Sequence, residues 1–206
     1  MLNNYLIDFL IVLPAVLIAI SFHEFAHAAA AYAMGDPTAK NEGRLSVNPA
    51  KHIDPIGLLM LMIARFGWAK PVPVNENNFK NRTMGSLLVS IAGIGMNILI
   101  AIVAFIILHF TQNLFQNYAY FEVMSSIIRI NIAFAAFNLL PVPPLDGSKI
   151  LVTLLPSKYR YMVYKYENYG TVILILLLIT GTLGIVLNPI VNVIIAFITS
   201  VINFIL

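Results

Sequence analysis

Residues 85–108 run without a single Asp, Glu, Lys, Arg or His, and this stretch constrains the fold more than any other. As a helix it is about 36 Å long, enough to cross a hydrocarbon layer of ~30 Å. Lipid offers no partner to backbone N–H and C=O groups, so a crossing segment must satisfy them internally. Largely apolar stretches also occur at 9–33, 123–140, 170–187 and 190–206, the first two interrupted by His23, Glu24 and His27 and by Arg129. Across the 206 residues, 60% are hydrophobic and 10% charged, against roughly 25% charged in an ordinary soluble domain. The expected fold is an all-α polytopic membrane protein with about five membrane-spanning helices, forming one domain over residues 1–206. The first residues lack the basic stretch of a signal peptide, so the first span is expected to be retained.

Shorter signals fall between the spans. Gly35-Asp36-Pro37 stops the first. Asp54-Pro55 supplies an N-cap and a first-turn proline to an apolar stretch at 56–66. That stretch is only about 17 Å long as a helix, which predicts a re-entrant or interfacial element. Residues 43–48 and 70–74 read as short extended or hairpin segments, the second because Pro71 and Pro73 hold the backbone out of helix.

Basic residues give the orientation. Seven of the twelve Lys and Arg fall between 40 and 82 and four between 149 and 165, while the connections near 109–121 and 188–189 have none. The positive-inside rule makes the first two regions cytoplasmic and puts the N-terminus outside a plasma membrane. The net charge of +3 thus reports topology and no nucleic-acid partner. Arg129 is the exception, expected to snorkel or to pair with Glu122.

Inside the first span stands His23-Glu24-Phe25-Ala26-His27. Residues i and i+4 share a helix face, so both imidazoles can address one point, with Glu24 adjacent. H-E-x-x-H is the pattern in which two His bind zinc and Glu serves as general base. Charged groups are costly at membrane depth and mark function by default. Cysteine is absent, so a third ligand must be His or carboxylate. The two histidines lie six to ten positions before the cytoplasmic end of their helix, and Asp146 follows closely on the cytoplasmic end of the span at 123–140. Asp146 therefore qualifies by depth and side. His52, His109, Glu122 and Asp8 are weaker candidates, and Asp146-Gly147 also reads as a simple turn. The prolines at 141, 143 and 144 keep the backbone before Asp146 extended.

His23-Glu24-Phe25-Ala26-His27, Gly93-Ile94-Gly95-Met96-Asn97 and the run from Asn138 through Pro141-Val142-Pro143-Pro144-Leu145-Asp146-Gly147 together resemble the site-2 protease family of intramembrane zinc metalloproteases, in a short prokaryotic form without PDZ or nucleotide-sensing domain. The resemblance covers nearly the whole chain. It implies one Zn2+ per chain on His23, His27 and Asp146, with Glu24 activating water. It also implies that Asn138 helps hold substrate or the oxyanion. Asn97 matches the G-x-x-x-N element, for which helix packing is the alternative.

The expected activity is hydrolysis of peptide bonds within or near transmembrane segments of a membrane-protein substrate, with the active site near the cytoplasmic side. The substrate segment must be unwound, since helical carbonyls are already hydrogen-bonded, and an extended protein edge is the natural place to hold it. The alternatives are a metal or ion transporter, which would be expected to repeat its half-structure, and a non-catalytic membrane scaffold. Oligomeric state is open.

Overall fold

The computed structural model describes residues 2–64, 67–115, 117–165 and 167–205. These form helices α1 (Leu2–Ala33), α2 (Thr38–Asn41), α3 (Pro55–Ala64), α4 (Arg82–Thr111), α5 (Tyr118–Asn138), α6 (Asp146–Leu154), α7 (Ser157–Lys165), α8 (Glu167–Ile179) and α9 (Leu183–Ile205). Phe9–Ala33 of α1 and the whole of α4, α5 and α9 are long and apolar enough to cross a membrane. The protein is an all-helical polytopic membrane protein.

The chain after residue 166 divides differently from expectation. Helix α8 has 13 residues, about 20 Å of helix, and the expected break at Asn188-Pro189 is absent because Pro189 lies inside α9. Membrane helices tolerate proline where their surroundings compensate the lost hydrogen bond. The turn falls instead at Gly181, whose φ of 69° is left-handed and ends a helix at little cost for glycine.

Helices α1, α4 and α5 pack mutually, α9 lies against α4 and α5, and α6 lies against α4. Small residues permit this: Ala15 and Ala19 of α1, Ala101 and Ala104 of α4, and Ala135 and Ala136 of α5 are all buried. Between membrane helices the association comes from close backbone approach and van der Waals contact. Ile194, Ile198 and Ile202, spaced at i, i+4 and i+8 on α9, close the core against Ile94, Ala101 and Ile132.

The connections between α1 and α4 form a compact cap. Asp54 starts α3 as expected, its Oδ1 accepting from the N–H groups of Ile56 at 2.8 Å and Gly57 at 3.0 Å. The last two residues of the expected 56–66 helix lie outside the described residues. The hairpin expectation needs correction. Among the described residues there is no strand, and the one antiparallel bridge joins Ile53 to Ala69. Residues 43–48 fold into local turns, with Ser46 N–H donating to the Arg44 carbonyl and Asn48 N–H to Ser46 Oγ. Residues 70–74 are in neither helix nor strand, and the two prolines keep them out of helix.

Asp36 ties this cap to the end of α1. Its buried carboxylate accepts from Thr38 N–H and Oγ1, from Asn75 N–H at 2.7 Å and from Asn78 Nδ2 at 2.7 Å. Burial pushes its pKa up, but the hydrogen bonds from Thr38, Asn78 and Asn75 outweigh that and hold it below the ordinary carboxylate value.

Candidate metal centre

His23, Glu24 and His27 face the interior of the bundle and are 3%, 7% and 7% exposed. Each imidazole is aimed by its Nδ1. His23 Nδ1 lies 2.7 Å from Asn97 Oδ1, and His27 Nδ1 lies 2.8 Å from the carbonyl oxygen of Val89. A carbonyl only accepts, so His27 must donate from Nδ1. Asn97 Nδ2 donates to the Ala19 carbonyl at 3.1 Å and to Asn131 Oδ1 at 2.9 Å. Its Oδ1 is thereby the acceptor, and His23 also donates from Nδ1. Both rings are therefore held with Nε2 as a lone pair.

Those two lone pairs point at each other, with Nε2 atoms 2.8 Å apart. Asp146, the first residue of α6, places Oδ2 3.3 Å from His23 Nε2 and 3.2 Å from His27 Nε2. That oxygen is buried without a hydrogen-bond partner. Three buried acceptors converge with no donor among them, an arrangement that needs a cation at its centre. The two contacts to Asp146 match the edge of about 3.3 Å expected between ligands on tetrahedral zinc, and the Nε2–Nε2 edge of 2.8 Å is shorter than that. Outward-facing hydrogen bonds that orient ligating imidazoles are the usual support of such sites.

Gly93 makes room for the rings. A Cβ there would sit 2.5 Å from His27 Cε1 and 2.7 Å from His23 Cε1, so α4 approaches α1 closely enough to serve the imidazoles only because this position carries no side chain. Glu24 lies on the adjoining face and its Oε2 accepts from Val72 N–H at 2.7 Å.

The expected residues thus fall into groups. His23, His27 and Asp146 meet as the one metal-ligand cluster among the described residues. Glu24 stands beside them. Asn97 is more than a packing residue, since it orients His23. Asn138 is buried but donates Nδ2 to the Phe134 carbonyl one turn back, and no hydrogen bond joins it to the cluster. Of the weaker candidates, His52 faces the Ser46 carbonyl from inside the cap, Glu122 lies 3.6 Å from Arg129, and the side chain of Asp8 is outside the described residues. Sequence reasoning missed Asn131, fully buried and donating to the Ile127 carbonyl at 2.8 Å. A polar side chain in an apolar crossing was its available signal. It also missed the roles of Gly93 and of the Val89 carbonyl; the latter leaves no trace in side-chain identity.

A buried set of two histidines and one carboxylate that could hold a metal, inside a bundle of membrane helices, is the arrangement of a membrane metalloprotein. Comparison with known proteins narrows it. The model of peptidase family M50, the site-2 protease family, matches residues 115–181. The chain is 39% identical over 182 residues to "Putative zinc metalloprotease YwhC" of Bacillus subtilis, covering 85% of this chain and 83% of that protein. It is 29% identical over 194 residues to "Putative zinc metalloprotease Rip2" of Mycolicibacterium smegmatis, covering 88% and 71%. No solved structure matches the chain. The chain belongs to peptidase family M50 and is a zinc metalloprotease of the membrane.

Proposed function

We propose that this protein is an intramembrane zinc endopeptidase of the plasma membrane that cuts membrane-protein substrates within or near their transmembrane segments, with its active site toward the cytoplasmic side. The single observation that carries the reading is three converging acceptors with a carboxylate beside them, inside the membrane-crossing part of α1. His23, His27 and Asp146 would hold the metal, which supplies Lewis-acid polarisation of a peptide carbonyl and of water. Glu24 takes a proton from the attacking water and returns it to the leaving amine. His23 and His27 lie six to ten residues before Ala33, on the order of 10–15 Å from the end of α1.

An apolar cavity of about 350 Å³ beside the site supports a membrane-borne substrate. It lies between α1, α3, α5 and the α8–α9 turn, and its lining includes Ile20, Gly57, Trp68, Phe134 and Leu187. Phe134 also packs edge-on against His23, with ring centroids 5.1 Å apart. Of the two segments expected to receive an unwound substrate, 70–74 supports the reading better. The Val72 carbonyl and Val74 N–H have no hydrogen-bond partner among the described residues, and Val72 N–H itself meets Glu24, so a substrate strand can pair there.

The test uses a membrane-embedded reporter. The wild type should produce a cleavage product that a chelator abolishes, and Glu24→Gln should keep zinc while losing the product. Wild-type cleavage by zinc-loaded Glu24→Gln would remove Glu24 from the role of base.

A further inference from the structure

The cap contains a buried cation that the chemistry above does not use. Arg44 is 6% exposed, and among the described residues no carboxylate pairs with it. Its guanidinium donates to the Lys70 carbonyl at 2.7 Å and to the Pro71 carbonyl at 3.3 Å. The Pro71 carbonyl belongs to the same peptide unit as Val72 N–H, the group that donates to Glu24 Oε2 at 2.7 Å. In a trans peptide the oxygen and the hydrogen point in opposite directions. One planar unit thus has a guanidinium on its oxygen and the Glu24 carboxylate on its hydrogen.

We propose that Arg44 is a positioning residue for Glu24, acting through the Pro71–Val72 peptide group. The peptide dipole of about 3.5 D has its negative end on the cation and its positive end on the carboxylate. Each partner polarises the unit in the same sense, which strengthens both hydrogen bonds. One guanidinium nitrogen, Nη2, reaches two successive carbonyls, which ties the unit's position along the chain to Arg44. Its own anchorage is firm: Arg44 N–H donates to the Ala39 carbonyl at 2.8 Å, and the His52 carbonyl accepts Lys70 N–H at 2.8 Å. His52 is in turn held at 2.6 Å from the Ser46 carbonyl through Nε2. The result is a carboxylate with Oε2 committed and Oε1 left to take the proton. A base displaced by a fraction of an ångström loses rate without losing substrate affinity.

The inference rests on Glu24 being the base, and the experiment separates the two. Arg44→Gln keeps an NH2 donor without the charge, and Arg44→Lys keeps the charge as a single point. Both are purified in detergent alongside the wild type and Glu24→Gln, and zinc content, kcat and KM are measured on the membrane reporter. Arg44→Gln should lose roughly 10- to 100-fold in kcat, as for other residues that orient reactive groups, with KM and zinc content unmoved; Arg44→Lys should recover part of the loss. Unchanged kcat in Arg44→Gln overturns the proposal while a dead Glu24→Gln leaves the base intact. Loss of zinc, a raised KM or failure to fold in both Arg44 variants makes Arg44 a scaffold residue and also overturns it. An active Glu24→Gln removes the base reading itself.

Discussion

One turn of α1 carries the proposed metal ligands and the proposed base, and they are held in opposite ways. His23 and His27 are fixed by neighbouring membrane helices: α4 supplies Asn97, the Val89 carbonyl and the gap at Gly93, and Asn131 of α5 supports Asn97 from behind. Glu24, one residue along, is held by the backbone of the segment between α3 and α4, at Val72. The ligand half is built by packing of small residues, where the Nδ1 atoms of both histidines and the Asn97 amide find their partners on neighbouring helices because lipid provides none. The base half is built by cap segments with turns, prolines and a buried arginine. Metal binding and proton transfer should accordingly fail separately.

The hardest break of the ligand half is Gly93→Ala. The added Cβ falls within 2.7 Å of both imidazoles, and α4 cannot retreat without losing the Val89 and Asn97 contacts. Zinc content should drop below stoichiometry and cleavage with it, while the same treatment of the base half by Glu24→Gln leaves zinc in place. Full zinc occupancy in Gly93→Ala would show that the helices yield more easily than their packing implies. Next in size is Asn97→Ala, which leaves His23 Nδ1 unsupported. Removing such an orienting partner costs roughly 10- to 100-fold in metal affinity or activity, measurable by zinc competition with a chelator. Asn131→Ala should cost less, because Asn97 keeps the Ala19 carbonyl as acceptor.

How much of this division was legible in the sequence follows from the same physics. The ligand half was visible because ionisable residues in an apolar helix stand out, and because charge asymmetry put Asp146 on the side of the two histidines. Asn97 was visible as a residue, but its role depends on which α1 atom it meets, a fact of interhelical register. The base half was largely hidden. Val72 contributes only its N–H, which any residue but proline supplies, and Arg44 looked like one more positive-inside charge. The turn at 180–182 was missed for a related reason: Asn-Pro is a strong breaker in water, yet a proline within a packed membrane helix is tolerated, and the weaker-looking Gly181 took the turn.

The smallest expected effect probes whether the cap stands apart from the metal. Asp36 joins α1 to residues 75–78 with a carboxylate whose folded pKa lies below its unfolded value, which is about 3.9. A group depressed in this way stabilises the fold above the unfolded pKa, and that contribution disappears as pH falls through the folded pKa. Asp36→Asn lacks the contribution at every pH. Near neutrality its detergent-phase thermal midpoint should therefore lie below that of the wild type, with zinc content equal. On acidification below about pH 4 the two midpoints should converge, because the wild-type carboxylate becomes protonated and the remaining carboxylates act on both proteins alike. A gap that persists at low pH would mean that Asp36 acts through its shape and not its charge. A fall in zinc content in Asp36→Asn at neutral pH would join the two halves that the structure keeps separate.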